Sequence, residues 1–134
     1  MLFRSSGSPY AYGGNNYYLA GVTAKPGDFL EYVLVSTNSS LTGPVTAAVV
    51  TDAVPTTYVT LQTGVYGGKD ITYVDETPTP HYLTVNAVGS AATYAAPNLT
   101  VNVGGATPAI PPAAGGTIPA TKTVLVLYQV KVNP

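Results

Sequence analysis

Short runs rich in Val, Leu, Thr and Tyr recur along the whole chain, separated by Gly, Pro, Asn and Asp, and none carries apolar residues at helical spacing. The pattern predicts strands over 17–22, 29–38, 45–52, 58–63, 70–74, 81–88, 99–103 and 121–132, with turns at Pro26-Gly27-Asp28, 38–43, Gly67-Gly68, 78–80, Gly104-Gly105 and Gly115-Gly116. The Ala-rich segments 91–96 and 113–120 are broken by Pro, Gly or Tyr and carry no apolar stripe, so no helix is expected. The fold class that follows is all-β, an antiparallel two-sheet sandwich of 7–8 strands.

The two longest runs are apolar on both faces. In the second predicted strand Leu30, Tyr32 and Leu34 alternate with Phe29, Glu31, Val33 and Val35; in the last, Val124, Val126, Tyr128, Val130 and Val132 alternate with Leu125 and Leu127. A sandwich covers only one face of each sheet. The other face must therefore meet a loop, a glycan or another subunit.

A chain of 134 residues holds one core. The expected organisation is an extended Tyr/Gly/Asn arm over 1–16, clamped by a neighbouring copy, followed by a sandwich over 17–134. Only 8% of residues are charged, with a net charge of -1, against about 25% charged in soluble domains. That balance gives no footprint for nucleic acid, and no apolar run reaches membrane-spanning length. Glycans or neighbouring subunits are expected to occupy so weakly charged a surface. There is no Cys, hence no disulfide framework, and the segment MLFRSSGSPYAYGG lacks an apolar stretch of signal-peptide length.

No catalytic constellation can be assembled, so an enzyme is not expected. His81 is the only histidine, and no Gly-x-Ser-x-Gly elbow accompanies it. Asp70, Asp75 and Glu76 lack Ca²⁺-loop periodicity and read as loop charges rather than metal ligands. The Gly-Gly pairs precede no helix, which excludes a phosphate cradle; neither cofactor nor metal is implied. Two sequons, Asn38-Ser39-Ser40 and Asn98-Leu99-Thr100, lie at turns or strand ends, making Asn38 and Asn98 candidates for N-glycosylation. Thr79 and Thr107, beside prolines, are candidates for O-glycans. Of 11 tyrosines, Tyr10, Tyr12, Tyr17 and Tyr18 crowd the N-terminal segment and, with Leu19 and Val22, are the candidate subunit interface.

Lys25-Pro26-Gly27-Asp28, Leu30-Glu31-Tyr32, Thr37-Asn38, Thr51-Asp52-Ala53-Val54-Pro55 and the closing strand from Ala120 to Val132 resemble the domain of unknown function eleven, an immunoglobulin-like repeat of bacterial and archaeal cell-surface proteins. The resemblance spans about residues 17–132. It implies an immunoglobulin-like topology, a cell-surface or extracellular location and a structural role. That family occurs as tandem repeats, whereas a single copy with an arm and a mediocre first strand resembles subunits of fibres built by strand donation. The expected function is a pilus-like filament or surface-layer subunit, self-assembling head-to-tail and glycosylated. A carbohydrate-binding or cell-adhesion module, with exposed Tyr rings stacked on sugars, is the alternative.

Overall fold

The structure, a computed structural model, describes residues 2–4, 9–18, 22–105 and 115–134. Among the described residues twelve strands run in order: β1 (Leu2–Arg4), β2 (Tyr10–Tyr12), β3 (Asn15–Tyr17), β4 (Phe29–Thr37), β5 (Val45–Ala53), β6 (Val59–Leu61), β7 (Ile71–Val74), β8 (Pro80–Leu83), β9 (Ala92–Ala95), β10 (Asn98–Asn102), β11 (Gly116–Ile118) and β12 (Thr123–Val132). No helix occurs among the described residues. The chain is all-β, as its punctuation predicts.

Two sheets face each other. The first has the order β1-β4-β12-β7-β8, with β6 pairing the far end of β12; the second has the order β11-β5-β10-β9. Every pairing is antiparallel except β1 with β4, where Leu2, Phe3 and Arg4 lie opposite Glu31, Tyr32 and Val33. Between the sheets Leu30, Leu34, Ile71, Tyr73, Val124, Val126, Tyr128 and Val130 meet Ala48, Ala92, Leu99, Val101 and Ile118. Apart from Tyr73 and Tyr128 this core is aliphatic and rich in β-branched side chains, which pack well on facing pleats.

Two buried tyrosine hydroxyls bolt the sheets together. Tyr128 on β12 donates to Asp52 Oδ2 on β5 at 2.6 Å, and its ring stacks on Tyr32 directly opposite, centroids 5.1 Å apart and planes within 2°. Burial, then the bond to Asp52, pushes the Tyr128 hydroxyl well above its ordinary pKa. Tyr73 on β7 accepts from the Gly104 amide at 2.9 Å beyond the end of β10, and burial raises its pKa to about 12. Each hydroxyl thereby avoids the cost of an unpaired buried polar group, about 1–3 kcal/mol.

A third layer covers the outer face of the first sheet. β2 and β3 form a hairpin closed by Gly13 and Gly14, both at positive φ (59° and 81°), the backbone that a two-residue primed turn requires. Tyr17, 1% exposed, packs there with Val33, Val74, Leu125 and Leu127, and Tyr10, Tyr12 and Tyr66 border the cluster. The second apolar face of β12 is thus filled by the chain's own N-terminal segment.

Several expectations are revised. Of the strand expected over 17–22, Tyr17 closes β3 and Val22 lies in no strand, while residues 19–21 lie outside the described residues. Residues 10–17 are a hairpin rather than an extended arm. β9 and β11 arise in the Ala- and Gly-rich segments read as irregular. Small side chains suit them, since β9 lays Ala92 against the core and Ile118 on β11 reaches it.

Candidate functional site

Glu31 is the one charged residue in the middle of β4, on the outer face beside Val33. The Tyr17 hydroxyl donates to its Oε1, and the Tyr66 hydroxyl (2.8 Å) and Gln129 Nε2 (3.1 Å) donate to its Oε2. Burial first, then the contact with Glu31, holds the Tyr17 and Tyr66 hydroxyls well above the usual phenol range. Both are therefore fixed donors. Three elements converge on the carboxylate: the hairpin brings Tyr17, the 64–69 turn brings Tyr66, and β12 brings Gln129.

This cluster floors a groove between the hairpin, that turn and β8. Tyr12, Tyr66 and Tyr82 stand along it, and Lys69 sits at one mouth. The deep part, about 220 Å³, reaches Thr72 and Leu127 on the sheet. The wider part, about 720 Å³, is bounded by Tyr66, Gly67, Lys69 and Tyr82. Thr72 is buried and its Oγ1 has no hydrogen-bond partner. Strand parity puts Thr72 and Tyr82 side by side, for they are register partners on β7 and β8.

Each residue singled out in the sequence can now be placed. Asn38 is buried; its Nδ2, the atom a glycan would occupy, donates to Gly43 O (2.9 Å) and Ile118 O (3.0 Å), while its Oδ1 accepts from the Ser40 amide. It is the peg that holds the β4–β5 turn to β11, and a glycan there would replace one of the two amide hydrogens and so break one of these bonds. Asn98 is exposed at the start of β10, and Thr79 is exposed beside β8. Thr107 and Leu19 lie outside the described residues. Tyr17 is buried, Tyr10 and Tyr12 are half-buried on the hairpin, Tyr18 is 44% exposed, and Val22 packs partly against the main core. Not foreseen from the sequence are the convergence of hydroxyls on Glu31, the only charge in a run of apolar residues, and the folding of Tyr12 back over the sheet at the Gly13-Gly14 turn.

The three acidic residues considered for a metal do not converge. Asp70, at the start of β7, accepts from the Gly64 and Val85 amides, and Asp75, at its other end, accepts from Thr77 and Thr79 and pairs with His81 Nε2 at 2.7 Å. Among the described residues no group of three His, Cys, Asp or Glu could hold a metal ion. His81 stacks on Tyr73, centroids 5.8 Å apart. The pair is a loop clamp.

Burial alone would raise the Asp75 pKa, but the bonds from His81, Thr77 and Thr79 outweigh it and hold the carboxyl at about 2. A depressed pKa stabilises the folded state above the unfolded value and loses that contribution as pH falls toward the folded value. Urea midpoints should therefore drop between pH 4 and 2. Asp75→Asn should lower the midpoint at pH 6 yet flatten the fall below pH 4; an equally steep fall in that variant would assign acid sensitivity elsewhere.

No protein-family model, curated protein or solved structure matches this chain. No helix among the described residues is long and apolar enough to cross a membrane.

Proposed function

We propose that the chain is a structural subunit of an extracellular filament or surface layer, assembling head-to-tail by giving its N-terminal segment to a neighbouring copy. The observation that carries this reading is the third layer. One N-terminal segment supplies both an edge strand, β1 on β4, and the hairpin that buries the outer face of β12. These contacts are a backbone ladder with apolar side chains, and a copy beside it could supply them equally well. A head-to-tail contact of that kind, if it does not close on itself, propagates as a fibre.

A second feature favours assembly. The outer face of the second sheet presents Val49, Thr51, Ala53, Thr93, Ala95 and Thr100, with no charged side chain among its outward positions. Such a surface is poorly protected against pairing. Asn98 borders it, so an N-glycan there would shield the face, and Thr79 is open to O-glycosylation at the other sheet. The resemblance to immunoglobulin-like surface repeats agrees with an exported, non-enzymatic role.

The protein refolded from denaturant at high concentration, where exchange between copies competes with closure within one, should give uniform fibres by negative-stain microscopy. Monomers alone at every concentration would exclude the reading.

A further inference from the structure

We propose that the tyrosine-lined groove between the hairpin, the 64–69 turn and β8 is a binding site for a neutral oligosaccharide. Tyr66 and Tyr82 border both its deep and its wide part, so the two adjoin across these rings. At about 720 Å³ the wide part falls within the range of small-molecule sites, roughly 300–1,000 Å³. Tyr82 is 54% exposed, a large ring left in water between the partly covered His81 and Leu83. A pyranose offers an apolar C–H face and a rim of hydroxyls. Rigid tyrosine rings match the face at small entropic cost, and their own hydroxyls match the rim.

The floor supplies directional partners. Thr72 Oγ1 is buried without a hydrogen bond, both a donor and an acceptor whose desolvation a ligand hydroxyl would relieve. Glu31 accepts three hydrogen bonds from its neighbours, and a carboxylate has about four lone-pair sites. One is left for a sugar hydroxyl. Charge sets the class of ligand: among the described residues Glu31 within and Lys69 at the mouth are the charges on the lining, one of each sign, which favours a neutral ligand over a polyanion.

The test titrates the folded chain with maltotriose, cellotriose, mannotriose, xylotriose and triacetylchitotriose to 20 mM, with heparin as a polyanion, and follows amide shifts by NMR. At least one trisaccharide should give saturable shifts centred on Gly13, Asn15, Gly67 and Lys69. Tyr82→Ala should weaken that binding at least tenfold, and Tyr58→Ala, an exposed ring outside the groove, should leave it unchanged. Thr72→Val separates ligand binding from packing: it should raise the melting temperature, by removing an unpaired hydroxyl, while weakening the sugar severalfold. The proposal is overturned if no trisaccharide gives saturable shifts, if the shifts map elsewhere, if heparin binds in preference, or if Tyr82→Ala binds as the parent does.

Discussion

Gly104→Ala is expected to remove a large share of the stability of the domain, and the geometry gives three reasons that add. Gly104 sits at φ +94°, where a side chain costs about 1–2 kcal/mol. A Cβ built there would lie 2.7 Å from both Gly116 C and Thr117 N, backbone atoms of β11 that cannot rotate aside. Any shift that relieved the overlap would pull the Gly104 amide away from the Tyr73 hydroxyl and Gly116 away from its bond to Val103. Together these predict a loss of roughly 3–5 kcal/mol or more, large beside the 5–15 kcal/mol of an ordinary domain. Gly89→Ala is the control, since φ is +75° there and nothing lies within 4 Å of the added atom; it should cost about 1–2 kcal/mol. The measurement is the urea midpoint of each variant against the parent. Equal losses in the two variants would mean that the close approach of residue 104 to β11 does not constrain the fold.

The sequence carried the elements more fully than the contacts among them. β4, β5, β7 and β12 follow from alternation and turn chemistry, and the two apolar faces of β12 correctly required a cover. Which body supplies the cover was not legible, because Tyr10, Tyr12 and Tyr17 read equally well as strand, arm or interface. The local clue was Gly13-Gly14, a two-residue turn between matching triplets. β9 and β11 escaped because the Ala and Gly residues in and around them are disfavoured in strands and dilute the short Thr93-Tyr94 and Thr117-Ile118 signals, and they pair only because β10 and β5 offer edges to them.

The polar contacts were the least legible. Asp52 and Tyr128 are 76 positions apart and meet only once two sheets are stacked. Asn38 reads as an accessible sequon at the end of a strand, yet the turn that follows folds it inward, where its amide is consumed by Gly43 and Ile118. Glu31 could have been noticed as a charge placed where strand alternation demands burial. Its partners Tyr17, Tyr66 and Gln129 come from three separate elements, and no spacing rule joins them.

Removing residues 1–18 should have an effect of the same order as Gly104→Ala, but a reversible one. Val33, Val74, Leu125 and Leu127 are almost wholly covered, and full burial of such a side chain is worth roughly 1.5–3 kcal/mol each. Against this stands the entropy of ordering the segment, about 1–2 kcal/mol per residue, so the net loss is a fraction of the sum. A drop of roughly 10–20 °C in melting temperature corresponds to a few kcal/mol in a domain of this size, and the bared face should bind a hydrophobic dye. Glu31 would also lose the Tyr17 hydroxyl. Adding a synthetic peptide of residues 2–18 should restore the melting temperature and quench the dye, because nothing in the ladder or the cluster requires the segment to be attached to the same chain. If truncation changes neither quantity, the third layer contributes nothing. If it changes both and the peptide restores neither, the layer is purely intramolecular and assembly by donation fails, while the saccharide groove, read on the intact chain, stands or falls on its own titration.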